Sequence, residues 1–256
     1  ALGVEGCAYA SAITMWIVMF ALALYMNTSP RLRVFKVFSR LGQFRPMLFK
    51  EILWLGVPIS ITITAEVGLF AGVSVRVGTR GAEITAAHQI ALSYASSMFM
   101  IPLALSSATT VQVGHMLGGG RAADARIAGF AGITMCAMFM ALSAAVLLLF
   151  RGLIITLYTN DPLVTDIALS LLLVAAIFQV ADGVQIGAAA ALRGYKDTRF
   201  PMAINIFAYW IVAFPLAYLA TVTYEAPPNY IWSAFVAGLG LAAILLTWRY
   251  QRLSRS

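Results

Sequence analysis

Seven long apolar runs, divided by short clusters of basic and turn-forming residues, organise the chain: Gly6 to Met26, Ile52 to Val75, Ile84 to Leu117, Ile127 to Phe150, Leu163 to Leu192, Phe200 to Thr223 and Tyr230 to Trp248. Each is near or above the roughly 20 residues that cross about 30 Å of hydrocarbon as a helix. None alternates apolar and polar residues in ten-residue segments, as a membrane barrel strand does. Backbone groups in lipid must bond internally, so the runs predict an all-α integral membrane protein, a polytopic bundle of seven transmembrane helices. Pro58, Pro102 and Pro215 fall inside runs and are candidate kinks. The third run, about 50 Å long if helical throughout, is expected to project beyond the bilayer or to bend at Pro102.

Composition agrees with this pattern. Hydrophobic residues make up 61% of the 256 positions and charged residues 11%, and the mean hydropathy of +0.88 excludes an ordinary soluble domain. The basic residues fix an orientation. All but Arg76, Arg80 and Arg151 of the 17 fall in alternate loops or the C-terminal tail, which the positive-inside rule puts in the cytoplasm together with the C-terminus. This asymmetry accounts for the net charge of +7, and no nucleic-acid partner is needed to explain it. Trp54, Tyr158, Tyr195, Tyr230, Trp232 and Trp248 lie near run ends, where an aromatic belt is expected. Cys7 and Cys136 lack the spacing of a metal or redox motif and predict no disulfide. Gly118, Gly119 and Gly120 read as a tight turn, because no Lys-Ser or Lys-Thr follows them as in a phosphate loop. His88 and His115 sit towards run ends and are poor candidates for a mid-membrane relay. The chain begins with Ala1 and has no basic region before its first apolar run, so it reads as a piece of a longer protein without a cleavable signal.

Two acids stand out. Glu66 and Asp182 lie deep within their runs, where a carboxylate is disfavoured by roughly 2.5 to 3.5 kcal/mol and is retained facing a partner, a cavity or an ion path. Thr62, one turn before Glu66, is placed to orient its carboxylate. Gln179 and Gln185 flank Asp182 at three-residue steps, a polar stripe expected to form a cavity wall. Asp166 is near enough to its run's start to reach the interface. Asp161 precedes Pro162, which suits a helix start.

Several ordered segments carry a family resemblance: Gly56 to Phe70 (GVPISITITAEVGLF), Gly81 to Leu92 (GAEITAAHQIAL), Phe99 to Leu105 (FMIPLAL), Val113 to Gly119 (VGHMLGG), Phe178 to Gln185 (FQVADGVQ) and Leu192 to Thr198 (LRGYKDT). Over residues 45–250 the chain resembles the multidrug and toxic compound extrusion (MATE) transporters, in particular the norfloxacin-exporter branch. The resemblance implies two six-helix lobes, here divided as the last helix of a first lobe (1–26), a cytoplasmic linker (27–48), a six-helix second lobe (49–250) and a tail (251–256), with the rest of the first lobe as a missing partner. It implies an inner-membrane antiporter that needs no cofactor and exports organic, often cationic, compounds against sodium or proton entry. Glu66 and Asp182 match the cation-coupling acids, which would be the metal ligands if the ion is sodium. Gln89 and Ser93 are implied to face substrate, Gln179 and Gln185 extend that wall, and Asp161 is a weaker contact for a cationic substrate.

Two other activities fit parts of the pattern. A flippase of lipid-linked oligosaccharides would call for basic groups facing the cavity, and no basic residue lies in the central part of any run. An intramembrane aspartyl protease would use paired acids, but Ala181 and Gly183 around Asp182 do not make the Gly-x-Gly-Asp surrounding of that class.

Overall fold

The computed structural model describes residues 3–30, 45–220 and 227–255. All seven runs are helices long and apolar enough to span a membrane: α1 Gly3–Thr28, α2 Pro46–Gly78, α3 Ala82–Gly118, α4 Ala122–Thr156, α5 Pro162–Gly194, α6 Arg199–Tyr218 and α7 Pro228–Leu253. Most extend past the predicted runs, because helical hydrogen bonding continues into the polar flanks after hydropathy has fallen. Of the expected cytoplasmic linker, Arg31, Arg33, Lys36 and Arg40 lie outside the described residues. So do Thr223, the predicted end of the sixth run, and the Cys7 side chain.

Residues Ala1–Lys50 and Glu51–Ser256 form two compact units. In the first, α1 is apolar along its length, with large side chains such as Ile13, Trp16, Phe20 and Leu24.

In the second, α5 is the central helix and packs along α3, α4 and α7. Small residues allow the approach. A Cβ added at Gly183 would meet the Cys136 carbonyl oxygen at 2.8 Å, and one at Gly187 would meet the Ile133 Cα at 2.8 Å. Thr110 reinforces the α3 contact by donating to the Ala190 carbonyl at 2.9 Å.

The prolines act differently from expectation. Pro58 and Pro102 sit inside uninterrupted helices, so α3 passes Pro102 without a break over its 37 residues, more than the roughly 20 that cross hydrocarbon. The departure from helical dihedrals falls instead at Phe150 in α4 (φ −114°, ψ 15°). Pro215 does mark an irregularity, since it follows a π-helical turn, Phe207–Ala213, within α6. A wider turn relieves the clash that a proline ring makes with the preceding turn. Gly119 and Gly120, the latter with φ 73°, close the turn between α3 and α4 as predicted.

Trp232 is not part of an aromatic belt. It is fully buried, and its indole N–H donates to His88 Nδ1 at 3.2 Å. Because indole only donates, His88 carries its proton on Nε2, which donates to Ser74 Oγ at 3.2 Å. Three helices, α2, α3 and α7, thus meet at one buried histidine.

Candidate functional site

Between α2, α3, α5 and α6 lies a cavity of about 800 Å³. It exists because α2, from Glu51 onward, follows no neighbouring helix at close backbone range and is held by side chains reaching across to it. At the end near the α5–α6 turn, Lys196 pairs with Glu51 at 2.5 Å and the Arg199 guanidinium lies 3.1 Å from the centre of the Trp54 ring. Midway, the Trp210 indole donates to the Ala65 carbonyl at 3.2 Å, and Phe70 packs on Phe235 with ring centres 5.0 Å apart. Near the far end, Ser74 meets His88.

Glu66, Asp182, Gln185, Gln89 and Ser93 all line this cavity, on walls supplied by α2, α5 and α3. The two acids therefore share one space although 116 positions separate them in the chain. Glu66 is half-buried, and it lies within electrostatic range of Arg193, Asp182 and Tyr209. Asp182 is 4% exposed, and its Oδ1 has no hydrogen-bond partner among the described residues. Gln185 is fixed beside it by donating through Nε2 to the Tyr209 hydroxyl at 3.0 Å, which leaves Gln185 Oε1 without a partner.

Three sequence expectations need correction. Gln179 does not line the cavity. It is fully buried with neither amide atom partnered, because three-residue steps drift around a helix of 3.6 residues per turn and carry it into the interhelical core. Asp161 also lies outside the cavity lining. Its carboxylate caps α5, accepting from the Leu163 N–H at 2.9 Å and the Val164 N–H at 3.5 Å. Thr62 lines the cavity but does not orient Glu66, since its hydroxyl donates back to the Pro58 carbonyl at 2.9 Å.

The structure also adds residues that the sequence reading passed over. Asn205 lines the cavity, is fully buried, and has neither amide atom partnered among the described residues. Arg193 lines it too. Although Arg193 belongs to the last turn of α5, a helical side chain tilts towards its helix N-terminus, so this guanidinium reaches back into the bundle. From sequence it counts among the basic residues of the cytoplasmic loops. Among the described residues no group of three His, Cys, Asp or Glu side chains forms a metal cluster. The polar resources of the cavity are thus two carboxylates, neutral amide and hydroxyl oxygens, and one guanidinium.

The MatE family model matches residues 58–219 of the chain. Over 253 residues, covering 99% of the chain and 55% of the relative, the sequence is 41% identical to the probable multidrug resistance protein NorM of Xanthomonas campestris pv. campestris. It is 36% identical over 258 residues to the multidrug resistance protein PmpM of Pseudomonas aeruginosa, covering 99% of the chain and 54% of that protein. The chain thus spans about half the length of the curated relatives it matches. In fold it is similar to the crystal structure of the eukaryotic MATE transporter AtDTX14, with a TM-score of 0.86 and 21% identity over 98% of the chain and 57% of that structure.

Proposed function

The chain belongs to the MatE family of multi-pass membrane transporters, and from that premise we propose that in its full-length form it is a cation-coupled antiporter, not an enzyme, that exports organic cations. The observation that carries this reading is that Glu66 and Asp182 open onto one cavity large enough for a drug-sized molecule. A carboxylate pair in such a space is neutralised either by a small cation that has entered with its gradient or by the positive group of a substrate. If each ligand weakens the other, the coupling is reciprocal, typically about 1 to 3 kcal/mol, and exchange follows.

A proton needs only the carboxylates. Sodium, a hard cation, takes oxygen ligands, and the free Asp182 Oδ1 and Gln185 Oε1 offer two beside Glu66. Gln89 and Ser93 face the same space from α3 and suit polar contacts with substrate. We place this chain as the last helix of a first lobe, a linker and the second lobe of the transporter, in the inner membrane, with the C-terminus in the cytoplasm as the distribution of Lys and Arg requires. The remainder of the first lobe would close the cavity from the opposite side and move against this lobe.

The test is efflux of a fluorescent organic cation from proteoliposomes containing the full-length protein, driven by an imposed sodium or proton gradient. Glu66→Gln and Asp182→Asn are each expected to lower gradient-driven efflux at least tenfold at matched protein density. Wild-type efflux in both variants would overturn the coupling roles. Collapsing each gradient separately identifies the ion.

A further inference from the structure

On the side of α5 turned away from the cavity, α4 and α7 flank that helix without packing along each other. Between them lies a groove of about 970 Å³. Ile177, Val180 and Val184 form its floor, whereas Asp182, Ile186 and Ala189 face the cavity. At about 100° per residue the two sets fall on opposite sides of α5. The remainder of the first lobe, placed over the cavity, therefore leaves the groove to hydrocarbon.

Small residues such as Ala144, Ala176 and Ala243 make the groove deep, and a Cβ added at Gly240 would meet nothing within 4 Å. Polarity is confined to one end, where Thr247, Trp248 and Gln251 line it from the last turns of α7. From Gly240 to Gln251 the helix rises about 16 Å, about half of the roughly 30 Å hydrocarbon core. On α7 the lining thus runs from apolar to polar over the depth of one leaflet.

Two features of the polar end point to a headgroup. Thr62, Thr109 and Thr110 bond back to the preceding helical turn, but Thr247 Oγ1 has no partner among the described residues. One χ1 rotation turns that hydroxyl to the groove, where an ester carbonyl can accept from it. Trp248, 43% exposed, holds the Arg252 guanidinium 4.0 Å from its ring centre and so keeps the charge at the groove mouth. Arg249 is neutralised by Asp197 at 2.9 Å. Arg252 and Arg255 are exposed, lie at an i, i+3 spacing and pair with no carboxylate among the described residues.

We propose that this groove binds an anionic glycerophospholipid of the leaflet at the C-terminal end of α7. An acyl chain lies along Ala243, Gly240 and Ala144, an ester carbonyl meets Thr247, and the phosphate meets Arg252 and Arg255, whose planar forks suit its oxygens. A zwitterionic phospholipid brings the same chain but sets its own cation beside the two arginines, so headgroup charge discriminates between them. The site rests on the placement of the first lobe and not on ion coupling. Because Asp182 is on the opposite side of α5, the bound chain backs the wall that carries this acid.

The test is photolabelling of the full-length transporter in phosphatidylcholine liposomes. The probe is a trace of phosphatidylglycerol with a mid-chain diazirine, or the matched phosphatidylcholine, and adducts are mapped by peptide mass spectrometry. Adducts are expected to concentrate on the groove residues of α4, α5 and α7 and to be at least tenfold more abundant with phosphatidylglycerol. Arg252→Gln and Arg255→Gln should each lower the phosphatidylglycerol adducts about fivefold, the contribution of one basic residue at a lipid surface, and leave the phosphatidylcholine adducts unchanged. Gly240→Phe, which fills the open groove, should reduce labelling there by both lipids. The arginine variants, at exposed positions, carry the test if Gly240→Phe does not fold.

Even labelling around the outer surface of the lobe would overturn the site, as would equal labelling by the two lipids or adducts unchanged in the arginine variants. So would a groove without adducts, the result expected if the first lobe or a second copy covers it. Failure of the efflux test at Glu66 and Asp182, with this labelling pattern intact, would sink the coupling roles and leave the lipid site standing.

Discussion

Asp182 and Glu66 face the same space from helices held in opposite ways. α5 around Asp182 is packed along three neighbours, with Gly183 and Gly187 set directly against the α4 backbone. α2 around Glu66 keeps its distance and is reached by Trp210, Phe70 and the His88 contact to Ser74. An added Cβ at Gly72 would find only the Phe214 ring, at 3.5 Å, an ordinary contact. One acid is thus carried by a closely packed wall and the other by a wall resting on side chains. Under the proposed coupling, an ion bound between them would draw on the second to move while the first kept its place. Rearrangement of rotamers and single hydrogen bonds requires far less free energy than repacking small-residue helix contacts.

The strongest challenge to this contrast is steric. Gly183→Leu should destabilise the protein by about 3 kcal/mol or more through overpacking against α4, read as loss of monodisperse protein and a lowered melting midpoint. Gly72→Ala should shift the same midpoint by no more than about 0.5 kcal/mol equivalent. Similar effects at the two sites would abolish the distinction between the walls.

A second test exploits Gln179, buried on the packed wall and outside the cavity. Gln179→Leu removes two unpartnered polar atoms and is expected to raise stability by about 1 to 3 kcal/mol with efflux retained. A fall in efflux would mean that the packed wall needs this amide for transport. Smaller again is Trp210→Phe, which removes the bond to the Ala65 carbonyl at a cost of about 1 kcal/mol. It should broaden the distance distribution between spin labels at Ile63 and Val180, sharpening the picture of α2 as the adjustable member. Ser74→Ala should have the least effect, about 0.5 kcal/mol, since water in the cavity can replace the lost acceptor, and the same spin-label pair should show little change.

The helices and the two acids were legible in the sequence because hydropathy and charge are local properties. Asp161 was legible as a cap for the same reason, its carboxylate meeting N–H groups two and three residues on. What escaped was set by partners far along the chain. Trp232 looks like an interfacial anchor until His88, 144 residues earlier, is seen to receive its N–H. Arg193 reads as a basic residue of a cytoplasmic loop until the standoff of α2 opens space for it. Asn205 and Tyr209 sit in a run whose apolar content hides both the polar lining and the π-helical turn, which has no signature in periodicity. Glu66 and Asp182 could be named from depth alone, but their meeting in one cavity is a fact of packing.

The wide turn at Phe207–Ala213 divides α6 into two segments with independent rotational phase. Asn205 precedes it and Phe214 follows it. Tightening that turn to an ordinary α-helical one would rotate everything beyond it by about 100° about the helix axis. Phe214 would swing away from Gly72 while Asn205 and Arg199, which precede the turn, kept their aim, so α6 carries a built-in swivel that would change its Phe214 contact with α2 alone.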